Sequence, residues 1–547
     1  MNLLYTNEIS NTSATTLAGI GFYNKNTTMP NRSTDALFQL IHTLEKSEKR
    51  NFKLYVTRNT ATEDLKIIQV FDALDKMSEY DEELLLKKNP SVKKQQLSNI
   101  KAHLYKQLLA SLRVLKTTDN IQIQLHEQLD YANLLYNKGL YLQSLKMLEK
   151  LKETAKEYSQ VTFMMQALFL EKNIEVLHIT RSLEDRAEVL ASEAEQSTRR
   201  LGRITQLSNL ALKLYSWYIK HGHARNEQDA QAIKQYFEES LPFEGEQATG
   251  FYEKLYFFQS YSWFGFILQD FLMYYRYTQK WVDLFEKERF MIGIETAHYI
   301  KGMHNLISAN FDLKNGKKFN EYLEKFERFS ETDLVTGNDN NRVQAFVYIH
   351  IAKLNKHFME GTFTEGLELV PHIEQKIKEY WLYLDRHRIL VFYYKISSLY
   401  FGSGDYDNTI TYLNKIINWK VDLRTDLQCY ARLLHLIAHY EIGNFDILEY
   451  LIKSVYRFMA KMENLSIVEE EIFKFLRNSF HLSYRKLRPE FEKLLMKLKS
   501  IENNRFETRA FSYLDIISWL ESKVYQKPLQ AIIKEKSDKT YQGSQQN

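Results

Sequence analysis

Hydrophobic residues along this chain recur mostly at intervals of three and four, the spacing that places them on one face of an α-helix. In the segment from Tyr393 to Trp419 they stand on both sides of Gly402-Ser403-Gly404-Asp405. The pattern predicts two short helices and a tight turn at Gly404, because glycine accepts the left-handed backbone that ends a helix. We therefore expect Gly404→Val to cost more than about 1 kcal/mol and Gly402→Ala to cost less. Alternation at period two is rare, so the chain is predicted to be all-α.

The same frame recurs around other glycines. Gly139, Gly361 and Gly443 have apolar residues at matching distances on both sides, and a looser copy, with a turn one residue longer, surrounds Gly316. Successive turns from Gly316 to Gly443 are 39 to 45 residues apart. We predict that these five glycines are the structural turn residues of a helical repeat. The frame around Gly404 consists of Tyr393, Ile396, Ser397 and Tyr400 before the turn and Tyr406, Thr409, Leu413 and Ile416 after it.

This frame resembles the tetratricopeptide repeat (TPR), in which a large aromatic residue, Leu-Gly and Tyr precede a Gly-x-Tyr turn and small residues follow it. Ser397 and Thr409 depart from the family pattern, which has Gly and Ala there. The resemblance implies an α-solenoid of about eight degenerate TPR-like helical hairpins, with helices longer than those of the standard unit of about 34 residues. The alternative is an irregular helical bundle. The opening "LFQLI" and the following "SEKR" are also similar to those of uncharacterised bacterial TPR-like helical proteins.

The chain is predicted to divide into four parts. Residues 1–32, rich in Asn, Thr and Ser, are expected to be a disordered extension. Residues 33–120 are expected to form a small helical domain, residues 121–525 the solenoid with capping helices at its C-terminal end, and residues 526–547 a flexible tail. Within the small domain a short helix, Asp81–Lys88, a break at Pro90 and a long helix, Gln95–Leu115, loosely resemble a helix-turn-helix module.

Amino-acid composition agrees with the predicted helical fold and excludes a few classes of site. The chain has 547 residues with 18 Gly and 6 Pro, which agrees with long helices and short connections. Its formal net charge of +4 points to no particular partner. The single cysteine, Cys429, excludes an intrachain disulfide and a multi-cysteine metal site. No apolar run reaches the length of about 20 residues that a membrane span needs, and no signal-peptide pattern opens the chain, so we expect a cytoplasmic protein.

One stretch concentrates positive charge. Between Leu84 and Thr118 there is no acidic residue. A basic helix that follows a short helix is typical of nucleic-acid contact. An acidic protein partner, or a solvated face that pairs with Asp81-Glu82-Glu83, would explain the same charges, and the last interpretation is favoured. The candidate contacts to an anionic partner are Lys93, Lys94, Lys101 and Lys106.

No catalytic motif stands out. His435 and His439 have a spacing that can chelate a metal, but the glutamate of the zinc-protease pattern is missing. We therefore expect no catalytic, cofactor or metal site, and predict a non-catalytic scaffold that binds a peptide or protein on the concave face of the solenoid. The alternative is a DNA-binding transcriptional regulator with an N-terminal helix-turn-helix-like module and a TPR-like sensor domain. Polar positions between the packing residues are the candidate partner contacts: Lys395, Ser398, Arg432 and His435.

Overall fold

The computed structural model describes residues 35–58, 62–115, 120–178, 185–242, 247–419, 424–462, 465–479, 482, 484–504, 506–507, 511 and 515–543. Their regular elements are all helices, without a β-strand, which confirms the predicted all-α class. The chain folds into two compact units, Met1–Gln124 and Leu125–Asn547, whereas the sequence places the boundary at 120/121. The extension expected over residues 1–32 lies outside the described residues.

The described residues of the first unit form five helices around a small core in which Phe52, Phe71 and Leu104 are fully buried. The predicted pair of a short and a long helix is present, and the long helix begins one residue earlier than expected. Asp35 caps the first helix by accepting hydrogen bonds from two backbone N–H groups. The helices are α1 (Ala36–Thr43), α2 (Lys46–Thr57), α3 (Thr62–Asp75), α4 (Glu82–Lys88) and α5 (Lys94–Leu115).

The second unit contains the remaining helices, which pack mainly against their neighbours in the chain. They are α6 (Ile121–Asn137), α7 (Tyr141–Glu157), α8 (Val161–Leu177), α9 (Arg186–His221), α10 (Glu227–Ser240), α11 (Phe251–Ile267), α12 (Phe271–Lys287), α13 (Phe290–Ile294), α14 (Thr296–Asp312), α15 (Gly316–Ser330), α16 (Asp333–Thr336), α17 (Asp339–Glu360), α18 (Phe363–Gly366), α19 (Val370–Glu379), α20 (Arg386–Ser403), α21 (Tyr406–Ile417), α22 (Thr425–Glu441), α23 (Phe445–Lys461), α24 (Ile467–Ser479), α25 (Tyr484–Ser500), α26 (Ile516–Tyr525) and α27 (Leu529–Gly543). The tight pairs include α11 with α12, α14 with α15, α20 with α21 and α22 with α23.

Eight connections in the described part of the second unit share one turn geometry. In each, a residue with positive φ ends a helix, and the next backbone N–H donates to the carbonyl five residues earlier at 2.7 to 3.1 Å. This is the hydrogen bond of a Schellman cap, which satisfies a free carbonyl at the helix end. The left-handed residues are Gly139, Ser159, Gln269, Lys314, Gly361, Gly404, Gly443 and Gln526.

Gly316 is not a turn residue, so that prediction is wrong. The left-handed residue of this connection is Lys314, with φ 54°, whereas Gly316 is the buried first residue of α15. The Asn315 side chain caps α15 by accepting from the Lys318 N–H. The hydrogen bonds of the cap make a left-handed lysine tolerable here, so glycine is not required.

The two glycines of the opening segment have different roles. Gly404 has φ 88°, and a Cβ built on it meets no atom within 4 Å, so its constraint is the backbone conformation alone. A Cβ on the buried Gly402 would lie 2.1 Å from the Phe363 ring. The expectation that Gly402→Ala is the milder change is therefore wrong, since the helix needs glycine there for close packing. Asp405 caps α21 by accepting a hydrogen bond from the Asn408 N–H.

The chain turns back at its C-terminal end. Helix α27 packs against α17 and α20 as well as against α26, and Ile533 belongs to the same core as those helices. A Cβ on Gly361, which follows α17, would lie 2.6 Å from the Lys534 backbone nitrogen, so the two segments are in close contact. The flexible tail expected over 526–547 is thus mostly helical, because Ile532 and Ile533 give it an apolar face that the second unit buries.

Candidate functional site

Six helices of the second unit form a side-by-side series, which we call the A-series helices: α9, α11, α14, α17, α20 and α22. The last member, α22, returns to contact α9. Neighbours run parallel, as α17 and α20 illustrate. Arg388 lies opposite Tyr348, and seven residues further along both helices Lys395 lies opposite Asn355.

Aromatic and cationic side chains meet along this series. The Tyr215 and Trp263 rings are 4.9 Å apart, and the Lys301 ammonium lies 5.5 Å from the Trp263 ring. The same ammonium lies 5.0 Å from the Tyr348 ring, whose other neighbour is the Arg388 guanidinium at 5.8 Å. Five consecutive A-series helices thus contribute one side chain each. We call Tyr215, Trp263, Lys301, Tyr348 and Arg388 the aromatic–cationic row.

The Tyr348 hydroxyl lies between the two cationic side chains of the row. An Nη of Arg388 lies 3.4 Å from the hydroxyl oxygen. Burial alone would raise the pKa of Tyr348, but Lys301 and Arg388 together hold it below its ordinary value. The His304 ring stacks on Tyr348 with 4.0 Å between centroids, and burial, followed by the charge of Lys301, keeps the pKa of His304 well below normal. The lowered pKa of Tyr348 therefore reflects the two cations, whereas that of His304 reflects burial first and their charge second.

A second polar group lies further along the same helices. Lys395 donates to the Asn355 side chain at 2.5 Å, and its ammonium is 5.3 Å from the Phe358 ring. Burial lowers the pKa of Lys395 to about 8, although the nearby Asp312 carboxylate opposes this. Burial also raises the pKa of Asp312 to about 7, against the pull of Lys395. Both groups are therefore only weakly committed to their charged forms near neutral pH.

A buried ion pair occupies the contact between α22 and α9. The Arg424 guanidinium binds both carboxylate oxygens of Asp426 at 2.8 to 3.2 Å, and both side chains are about 95% buried. Arg424 also lies 5.3 Å from the Tyr218 ring of α9. A Cβ on Gly222, after α9, would be 3.2 Å from Asp426. Both members of this pair therefore lie against the end of α9 where α22 meets it.

The four candidate partner contacts are not equivalent. Lys395 belongs to the inner polar group just described, and Ser398 donates to a backbone carbonyl of its own helix. Arg432 stacks 3.8 Å from the Phe458 ring and donates to the Gln428 side chain, so it ties helices together.

His435, predicted as a partner contact, is a buried packing residue that leaves little of its surface open. It is 8% exposed, and its Nε2 lies 3.3 Å from that of His439. Within the described part of the chain, no group of three or more potential metal-ligating side chains occurs. Cys429 is fully buried in the same helix.

The four lysines predicted to contact an anionic partner in the first unit are also not equivalent. Lys93, Lys94 and Lys106 are exposed. Lys101 instead forms an ion pair with Asp35 and donates to the Tyr80 hydroxyl at 2.8 Å, so it is a structural residue. The partner of Lys101 is the N-cap of α1, and the pairing with Asp81-Glu82-Glu83 favoured from the sequence does not involve it.

Sequence reasoning missed the aromatic–cationic row. Lys301 and Tyr348 each lie 13 residues before a left-handed turn residue, Lys314 and Gly361, so they occupy matching positions on α14 and α17. If the turn is placed at Gly316, Lys301 lies 15 residues before the turn instead of 13, so it no longer matches Tyr348. Placing turns by the capping asparagine as well as by glycine would have aligned the two positions.

No helix in the described ranges has the length and apolar content of a membrane-spanning segment. No family model, curated protein or solved structure matches the chain. The function is therefore inferred from the geometry of the chain itself.

Proposed function

We propose that this protein is a non-catalytic scaffold in which a TPR-like α-solenoid, formed by the second unit, binds a peptide segment of a partner along its A-series helices. The observation that carries the proposal is the aromatic–cationic row. It places aromatic faces and hydrogen-bond donors on five consecutive helices. Such surfaces suit a peptide, whose carbonyl groups accept hydrogen bonds and whose side chains stack on aromatic rings.

The shared turn geometry supports the repeat interpretation. Eight connections end in the same cap, and those from Lys314 to Gly443 are 39 to 47 residues apart. The position at which each A-series helix contacts the next one also changes, from the end of the first helix towards the start of the last. They lie in the last turn of α9 at Tyr218, near the middle of α17 at Tyr348, and in the first turn of α22 at Asp426. A steady displacement between neighbouring repeats is what turns a stack of hairpins into a superhelix.

The distribution of polar groups favours binding over catalysis. The row spreads its donors over several helices and includes no nucleophile beside a general base, the arrangement that covalent catalysis needs. Tyr215 is the most open member, at 37% exposure, and so offers an accessible entry to the row. A bound peptide would lie across side chains that a rigid set of helices already positions, which lowers the entropy cost of binding.

An array of random synthetic peptides tests the proposal with the full-length chain. Tyr215→Ala should weaken binding of the selected peptides, because it removes an accessible aromatic face of the row. Tyr450→Ala is the matched control, since Tyr450 is 73% exposed on α23, outside the A-series. Failure of the unsubstituted chain to bind any peptide, or an equal loss in both variants, would contradict the proposal.

A further inference from the structure

We infer that Lys301, Tyr348 and Arg388 form a receptor for a carboxylate group of the bound peptide. This inference rests on the proposed function and specifies which chemical group of the peptide the row selects. The three side chains come from α14, α17 and α20, so the receptor is complete only when three successive helices are packed together.

The hydrogen-bonding capacity of these three side chains indicates that their ligand is an anion. Lysine and arginine are donors only, whereas a tyrosine hydroxyl both accepts and donates. Arg388 donates to the Tyr348 oxygen at 3.4 Å, and Lys301 lies against the same ring. The hydroxyl then keeps its own proton for an outside acceptor. Lys301 also hydrogen-bonds the Tyr348 hydroxyl, so that oxygen accepts from both cations, and among the described residues the carboxylate paired with this group is Asp385, on Arg388.

The acidic groups nearby leave room for such an acceptor. Asp385 pairs with Arg388 at 3.2 Å, but its side chain is 53% exposed at the start of α20. The guanidinium has five N–H groups, so one exposed carboxylate does not saturate it. A ligand carboxylate could therefore accept from the half-buried ammonium and guanidinium beside Tyr348, which is itself only 7% exposed, and charge-assisted hydrogen bonds of this kind are the strong ones.

The aromatic part of the row adds selectivity for a peptide over a free ion. Trp263 lies on the far side of Lys301, and Tyr215 lies beyond it. A residue next to the bound carboxylate would meet these rings. The carboxylate has two sources in a peptide, its C-terminus and an Asp or Glu side chain, and both present the same two oxygens.

The test uses the full-length chain and the peptide array, with every selected peptide made in three forms. These are the free acid, the C-terminal amide, and the version with Asp and Glu replaced by Asn and Gln. We expect one of the two replacements to abolish binding, and its identity reveals which carboxylate is bound. Lys301→Met should weaken binding about tenfold or more, and Tyr348→Phe should weaken it less, because it removes one neutral donor.

Lys317→Met on α15 is the control, because this lysine is exposed outside the A-series and should bind like the unsubstituted chain. Helical content and thermal unfolding of each variant establish that it is folded. Binding that survives removal of both kinds of carboxylate, or that ignores Lys301→Met and Tyr348→Phe in folded variants, overturns the inference and leaves the proposed function intact. Absence of any binding by the unsubstituted chain overturns both.

Discussion

The exposed lysines at and near α5 and the lysines of the A-series helices carry the same charge in different surroundings. Lys93, Lys94 and Lys106 are exposed to solvent, whereas Lys301 and Lys395 are half-buried against aromatic rings. Exposed charges are screened by salt and water, so each contributes little beyond its own position. Enclosed charges act on their neighbours, as the lowered pKa of Tyr348 demonstrates. A run of like charge along the sequence is thus a weaker sign of a site than convergence in space.

At a fixed pH, the largest effect of one substitution should come from the enclosed ion pair where α22 contacts α9. Arg424→Met leaves the Asp426 carboxylate at a position that is only 4% exposed, without the guanidinium. We expect the free energy of unfolding to fall by about 3 kcal/mol in urea denaturation. Lys453→Met, whose pair with Glu449 is exposed, should change it by less than about 0.5 kcal/mol. If Arg424→Met and Lys453→Met lowered the free energy of unfolding equally, enclosed and exposed ion pairs would not differ in their contribution to stability.

The next effect is a pH dependence from Asp312. Its pKa is raised to about 7 in the folded protein, so folding favours the protonated carboxyl. The contribution of Asp312 to the free energy of unfolding is fully present below about pH 4 and is lost as the pH rises through about 7. Between these values the free energy of unfolding falls by at most about 1.4 kcal/mol per pH unit. Asp312→Asn should remove that fall when urea denaturation is compared at acid and neutral pH. Exposed Asp446→Asn should retain it, and an unchanged profile in Asp312→Asn would refute the assignment.

A smaller effect separates the lysines of α5 from one another. Lys101→Met removes the ion pair with Asp35 and the hydrogen bond to Tyr80, so we expect a loss of about 1 kcal/mol in unfolding free energy. Lys94→Met should be neutral, because that side chain is exposed. If thermal unfolding ranks the two variants in the opposite order, the structural role of Lys101 is wrong.

The smallest expected effect concerns nucleic acid. We expect no affinity for duplex DNA at low salt, and replacement of Lys93, Lys94 and Lys106 by Gln should alter stability by only a few tenths of a kcal/mol. A salt-dependent gel shift that these substitutions abolish, with a slope near −0.9 per phosphate neutralised, would instead support the regulator interpretation. Lys101 is left in place because its substitution would also remove the ion pair with Asp35 and so lower the stability of the first unit.

The fold class and the helices of the first unit can be predicted because their causes are local. An apolar stripe at Leu97, Leu104 and Leu108 and the break at Pro90 suffice to place α5 within one residue. The turns with Gly139, Gly361, Gly404 and Gly443 are predictable for the same reason, since glycine marks left-handed backbone in the sequence.

The row could not be predicted because its causes are not local. Gln269 and Lys314 adopt the same left-handed conformation as the turn glycines, so glycine does not mark these two turns, and the sequence signal that remains is the capping residue that follows, Asp270 or Asn315. An error of two residues in the turn position rotates a helix assignment by about 200°. That error is enough to separate Lys301 from Tyr348, its neighbour in space, which lies at the matching distance before its own turn.

The packing of α27 against Gly361 has a consequence for the order of synthesis. The Gly361 backbone meets residues that leave the ribosome more than 160 positions later, and Thr364 donates to Gln530 at 2.9 Å. The hairpin that follows α17 therefore cannot complete its packing while the chain is still being made. Its final docking must come after translation has passed residue 534, so the middle of the molecule is finished among the last steps.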